Sequence, residues 1–177
     1  MSEHPTLWKG LLVGALAGLA AAWLKSLAEP PLQRLSEQVW PVTPAGHGMV
    51  GADPTHHQDN MPPAVLLDHA EERLAGHPLS RDQKLKGQQM IHYVMGAGLG
   101  AVYGALAEVA PGVTRGLGVP AGAVLYALTH GSGVPATGVQ AWPWQLPRAA
   151  VAWESGSHLV YGAGLEVLRR LLRPRLG

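Results

Sequence analysis

Apolar residues are gathered into four long segments along the chain. The segments cover about residues 7–28, 88–110, 116–136 and 149–172. Each has close to the roughly 20 residues that a helix needs to cross a hydrocarbon core of about 30 Å. Because the later connections are short, consecutive helices are expected to run antiparallel. The pattern predicts an all-α integral membrane protein, a single membrane domain over residues 1–177 with four transmembrane helices in a bundle.

A polar stretch, residues 29–87, separates the first two apolar segments. It is too long for a simple turn, so we expect it to be partly structured. Within it, PPAVLLDHAEERLAG has Pro63 in place for a first helical turn and Gly76 for a stop. This predicts a short amphipathic helix that lies on the membrane or caps the bundle.

The first apolar segment has an alternative interpretation as a cleaved secretory signal. The run ends in SLA before Glu29, which suits the peptidase. Its length, and the late Trp23 and Lys25, favour a retained helix with residues at the membrane interface.

Composition supports a membrane location and narrows the chemistry. Hydrophobic residues make up 47% of the chain and charged residues 14%, whereas a soluble domain has about 25% charged residues. A net charge of +1 predicts no nucleic-acid partner. The absence of cysteine excludes disulfides, iron–sulfur clusters and thiol catalysis. No phosphate loop, nucleophile elbow or HExxH motif occurs, so we expect no enzyme.

Glycines recur every four residues in the first two apolar segments. They are Gly10, Gly14 and Gly18, and Gly96, Gly100 and Gly104. Small residues at this spacing let helix backbones approach closely. The two rows predict close helix packing, within a bundle or with a second copy or another membrane protein.

Ionisable residues interrupt the apolar segments at one level of the expected bundle. The topology puts His92, His130 and His158 near the membrane face that carries the long loop, with Glu154 one turn before His158. Charged groups in a membrane are costly and usually mark a site. These residues could bind a divalent transition metal or pass protons. Haem ligation by two of the histidines is a weaker hypothesis. A structural role at the membrane interface is a further alternative.

Three further glutamates are secondary candidates. Glu29 falls at the level of the histidines, whereas Glu108 and Glu166 fall at the opposite level. Arg170 follows Glu166 by one turn, which favours an ordinary helical ion pair there.

The long loop contains a possible metal-binding group of its own. The motif HHQDNMPP offers His56, His57 and Asp59. Its spacing matches no zinc signature, and histidines are common in polar loops, so this is the weaker metal hypothesis.

Several of these motifs together resemble the YagU-like bacterial inner-membrane proteins, a domain family of unknown function. The motifs are GLLVGALAGLAAAWLKSLAEPPL, PPAVLLD, HYVMGAGLGAVYGALAEVAP, His130 with Pro135, ESGSHLVY and LEVLRR. The resemblance implies a multi-pass protein of the bacterial inner membrane with the long loop in the periplasm, and we expect both termini in the cytoplasm. The resemblance extends to His92, His130, His158, Glu108, Glu154 and Glu166, whereas GADPTHHQDNM departs from the family.

Two main hypotheses of function follow. In the first, a histidine and glutamate layer near the periplasmic face handles protons or a divalent metal, in envelope or acid homeostasis. In the second, the protein is a structural or accessory membrane subunit that packs through its glycine rows. A haem-binding electron-transfer subunit is the third and weakest alternative.

Overall fold

The computed structural model describes residues 6–176, and it contains helices and no strand among them. Met1–Pro5 and Gly177, at the ends of the predicted domain, lie outside the described residues. The longer helices are α1 Leu7–Val39, α2 Pro62–Ala75, α3 Arg81–Val109, α4 Val119–Leu128 and α5 Arg148–Leu172. Shorter turns are α-helical at Pro44–His47 and Val134–Ala136, 3₁₀ at Gln58–Asn60, Pro111–Gly118 and Arg173–Leu176, and π-helical at Thr129–Gly133.

Helix α1 is longer than the apolar segment that predicted it. It continues through Pro30 and Pro31 to Val39, so Glu29 lies inside a helix and not at its end. A proline removes a backbone donor, but the LQRLSEQ stretch that follows consists mostly of good helix formers. The first part of the predicted 29–87 loop is therefore helical.

The helix predicted within the polar stretch is confirmed as α2. It begins at Pro62 and ends before Gly76, which has a left-handed φ of 76° and donates its N–H to the Glu72 carbonyl. Glycine at this position carries no penalty for the left-handed conformation, which stops the helix.

The third apolar segment, predicted over 116–136, is not one continuous α-helix. Gly116, Leu117 and Gly118 have positive φ values of 61°, 54° and 78°, and a right-handed helix cannot run through them. Only the ten residues of α4 are regular before the π-helical turn. The second segment begins earlier than predicted, at Arg81, and the fourth matches α5 within one residue.

Two helices of the described chain, α1 and α3, are long and apolar enough to span a membrane. By contrast, α4 is too short to do so alone. Helix α5 has 25 residues but carries ionisable groups along its length. The structure thus gives two candidate spans where the sequence predicted four.

The described chain divides into two compact units. The first comprises the described part of Met1–Leu27, Tyr93–Leu125 and the described part of Ser157–Gly177. The second comprises Ala28–His92 and Tyr126–Gly156.

The first unit has a core of small and aromatic side chains and a close contact between glycine rows. Its buried core is Ala17, Ala21, Ala22, Tyr103, Tyr161 and Leu165. A Cβ added at Gly10 would lie 2.6 Å from the Gly104 carbonyl oxygen, and one added at Gly14 would clash with the Gly100 carbonyl. The predicted glycine positions therefore face each other inside one chain, with no room for side chains.

The second unit is organised around Trp153, which is fully buried. Its ring packs with Ala52, Met61 and Ala150. The Nε1–H of Trp153 donates to the Ala52 carbonyl at 3.3 Å. This contact joins the start of α5 to the polar stretch after α1.

Candidate metal centre

Helix α5 supplies two polar side chains to the candidate site. Glu154 and His158 are four residues apart, so they lie on one face of the helix. Both residues are buried. A buried carboxylate is stable only with a hydrogen-bond or charge partner, so the groups around Glu154 decide what this face can do.

His130 approaches the same carboxylate from the π-helical turn. Its Nε2 lies 3.4 Å from Glu154 Oε1, and the two side chains are 18% and 5% exposed. A π-helical turn contains one more residue than an α-turn and often occurs at functional sites.

The residues of this region offer imidazole and carboxylate ligands. His130 lies beside Glu154, and His158 follows Glu154 by one turn of α5. Imidazole and carboxylate groups together suit zinc and similar transition metals, and three protein ligands leave a position open for water or substrate.

Two residues of the predicted layer are not part of this group. His92 lies on α3, and Glu29 lies within α1.

The glutamates of the opposite level are paired with arginines. Glu166 is fully buried, and it accepts hydrogen bonds from Arg169 Nε at 2.8 Å and Arg170 Nε at 2.6 Å. Glu108 accepts from Arg173 Nε at 2.6 Å. Glu166 also accepts a hydrogen bond from Tyr103 Oη on α3 at 2.9 Å, so it connects α5 with α3 while the guanidinium groups compensate its charge.

The polar stretch forms a second cluster, centred on Asp53. Asp53 is 2% exposed. The Nδ1 atoms of His47, His56 and His57 lie 3.2, 3.2 and 3.1 Å from its carboxylate oxygens. Gln33 Nε2 donates to Oδ1 at 2.9 Å. We call these five residues the Asp53 cluster.

The histidines of the HHQDNMPP motif thus face Asp53, which the sequence analysis did not single out. Asp59, the carboxylate predicted with them, lies 3.7 Å from Arg81 Nε instead. The signal for Asp53 is its turn chemistry, because Oδ1 accepts the backbone N–H of Thr55 at 3.2 Å and of His56 at 3.0 Å. Aspartate followed by such N–H groups is typical of an Asx turn.

Donors around Asp53 favour its ionised form. Burial opposes ionisation, but hydrogen bonds from Gln33, the His56 N–H and His57 outweigh it, and they hold the pKa of Asp53 well below its usual range. Asp53 is therefore an anion whose hydrogen-bonding needs are met within the second unit.

Gln140 is a second residue that the sequence did not indicate. It is buried in the connection before α5, and its Oε1 lies 3.2 Å from His130 Nδ1. A lone glutamine in a loop has no pattern that would mark it as a neighbour of a histidine elsewhere in the chain.

These observations define a class of protein. It is a helical chain with two helices able to span a membrane and with a histidine beside a buried glutamate. The chain belongs to the family described as "Protein of unknown function (DUF1440)", whose profile matches residues 49–167. The match includes the Asp53 cluster, apart from Gln33 and His47, and it includes His130, Glu154 and His158. Comparisons with curated proteins and with solved structures found no match.

Proposed function

We propose that this protein is a multi-pass membrane protein that binds a divalent transition metal ion through His130, Glu154 and His158. The carboxylate of the buried Glu154, with His130 Nε2 3.4 Å from its Oε1, is the observation that carries the proposal. His158 follows Glu154 by one turn on α5. We further propose that it acts as a binding or transport component and not as an enzyme.

Exposed apolar surface supports the membrane part of the proposal. On α1 of the first unit, Leu12, Leu16, Leu19 and Trp23 are each 45–53% exposed. In the same unit Glu166 is fully buried. Apolar groups outside and a charged group inside are the reverse of a water-soluble domain and suit a lipid environment.

We propose four crossings, with the second pair formed around α4 and α5, although only α1 and α3 are long and apolar enough by themselves. The resemblance to YagU-like proteins supports the bacterial inner membrane, a periplasmic stretch after α1 and cytoplasmic termini. The alternative role as a structural subunit has less support, because the glycine rows that it would use already contact each other.

Labelling of single cysteines tests the topology, since the natural chain has none. Leu74 is 86% exposed on α2, and Gly112 has open space around its Cα. In intact cells with a permeable outer membrane, a membrane-impermeant maleimide is expected to label Leu74→Cys and to spare Gly112→Cys. Equal labelling of both would contradict the four-crossing arrangement.

Metal analysis of the full chain in detergent tests the site. After zinc loading and removal of excess ion, we expect about one zinc per chain, reduced in Glu154→Gln and His158→Ala. His77→Ala removes an exposed histidine outside the group and is the matched control. Retention of zinc by all variants, or no retention by the natural chain, would contradict the metal role.

Two other outcomes would assign a different function to the same residues. A Soret band would identify bound haem. Proton flux into vesicles that His158→Ala abolishes, without bound metal, would make the group a proton carrier.

A further inference from the structure

Cationic side chains outnumber carboxylates at one end of the first unit. Among the described side chains, this end carries Lys9, Arg115, Arg169, Arg170 and Arg173 against Glu108 and Glu166. Glu166 is shared by two guanidinium groups, at 2.8 and 2.6 Å, and Glu108 is paired with one. Because two carboxylates cannot neutralise five cations, a positive charge remains after these ion pairs have formed.

The end of α5 contacts the 3₁₀ turn at Pro111–Gly118. Arg170 Nη2 lies 3.5 Å from the Thr114 carbonyl oxygen. Arg115 follows Thr114 directly and is exposed, and the side chain of Arg170 is 51% exposed. The contact therefore brings two exposed arginines from distant parts of the chain to the same end of the unit.

The start of α1 adds a third cation to this end. Arg173 Nη2 donates to Thr6 Oγ1 at 3.0 Å, directly before α1. Lys9 lies in the first turn of α1, and its Nζ is 5.7 Å from the centre of the Trp8 ring. Trp8 is 61% exposed, and an exposed tryptophan at the end of a membrane helix is typical of the interface between lipid and water. We call Lys9, Arg115 and Arg170 the basic surface.

Exposed apolar side chains accompany the basic surface in each of its segments. Leu7, Leu117 and Leu171 are each about half exposed, and they lie within two residues of Lys9, Arg115 and Arg170. A soluble anion such as inorganic phosphate has no apolar part that would contact such side chains. A phospholipid has both a phosphate and acyl chains, so it complements cations that are placed beside apolar groups.

We propose that the basic surface binds the phosphate of an anionic phospholipid in the leaflet next to the chain termini. Guanidinium and ammonium groups donate charge-assisted hydrogen bonds to phosphate oxygens. Basic side chains next to membrane helices attract anionic headgroups. The inference goes beyond the proposed metal binding, and it rests on the membrane part of the proposed function.

Native mass spectrometry of the delipidated full chain in a nonionic detergent tests the proposal. The probes are phosphatidylglycerol and phosphatidylcholine with the same acyl chains. We expect the natural chain to retain phosphatidylglycerol more strongly. Its affinity should fall about fivefold in Lys9→Gln and in Arg115→Gln. Lys86→Gln and Arg73→Gln remove the same charges from exposed positions of the second unit, and we expect them to change nothing.

Conservative variants separate charge recognition from packing. Lys9→Arg and Arg115→Lys keep the positive charge, so we expect them to bind phosphatidylglycerol nearly as well as the natural chain. Equal losses in Arg115→Lys and Arg115→Gln, with melting temperatures lowered alike, would overturn the proposal in favour of a packing role.

Three other results would also overturn it. The first is equal retention of the two lipids by the natural chain. The second is an equal loss of phosphatidylglycerol in the control variants, since any surface cation would then serve. The third is saturable binding of inorganic phosphate at the same residues without preference for the anionic lipid.

The lipid site can fail without the proposed function, and the reverse also holds. No zinc is added in these measurements, so the result does not depend on metal binding. Maleimide labelling of Leu74→Cys and Gly112→Cys reports the topology separately. Failure of the lipid site and failure of the proposed function are therefore distinguishable.

Discussion

Asp53 and Glu154 are both buried carboxylates that face imidazoles, yet their surroundings differ. Asp53 accepts hydrogen bonds from two backbone N–H groups and from the side-chain NH₂ of Gln33. Glu154 has His130 Nε2 3.4 Å from its Oε1, and Gln140 Oε1 lies 3.2 Å from the other nitrogen of that ring. The donors around Asp53 make it an anchor of the polar stretch, whereas the role we propose for Glu154 is metal binding.

Removal of the Asp53 carboxylate gives the largest expected effect. Asp53→Ala leaves buried donors without an acceptor, so we expect the free energy of unfolding to fall by about 3 kcal/mol. Thermal unfolding followed by circular dichroism measures it, with Asp59→Ala as the control. A loss of under ~1 kcal/mol would show that Asp53 is not an anchor.

Glu154→Gln should have the opposite effect, with little loss of stability and a large loss of zinc affinity. The amide keeps the size of the side chain and can both donate and accept hydrogen bonds, so metal-free stability should change by less than about 1 kcal/mol. Zinc affinity should fall about 100-fold or more, because a charged ligand is lost. Competition with a chromophoric chelator measures the affinity. A strongly destabilised metal-free variant would remove the distinction between the two carboxylates.

Lowering the pH should reduce the free energy of unfolding through the Asp53 cluster. The pKa of Asp53 is lowered in the folded protein, so its stabilisation is complete above about pH 4. It is then lost as the pH falls further toward the folded-state value, by at most about 1.4 kcal/mol per pH unit. Unfolding of the natural chain and Asp53→Asn from pH 7 to pH 2 measures the difference. Parallel profiles would contradict the assignment.

The smallest effects are expected from the exposed histidines of the Asp53 cluster. His56 and His57 have side chains 74% and 50% exposed, and solvent screens such pairs. His56→Ala and His57→Ala should each cost only about 0.5 kcal/mol in thermal unfolding. Losses above ~2 kcal/mol would make the imidazoles, and not the amide donors, the main support of Asp53.

Local patterns predicted much of the secondary structure. Pro62 and Gly76 delimit α2, and the fourth apolar segment coincides with α5. The spacing of Glu154 and His158 already placed them on one helical face. These features depend on residues close in sequence, where backbone geometry leaves few alternatives.

The same patterns gave wrong predictions where the backbone adopts a left-handed conformation and where contacting residues are far apart in the sequence. The left-handed residues 116–118 delay the start of the predicted third span, and the π-helical turn at Thr129–Gly133 ends its regular part. Asp53, and not Asp59, gathers the loop histidines because the turn at Thr55 directs backbone donors toward it. Hydrophobic periodicity contains no information on either point.

The sequence by itself determined a helical, apolar chain with rows of glycine and a glutamate one turn from a histidine. Only the tertiary structure decided that His130 and Gln140 join Glu154, and that Asp53 is already satisfied. Periodicity assigns a residue to a face of its own helix. Which side chains from distant parts of the chain meet that face depends on how the chain folds back, and hydrophobic periodicity contains no information on this.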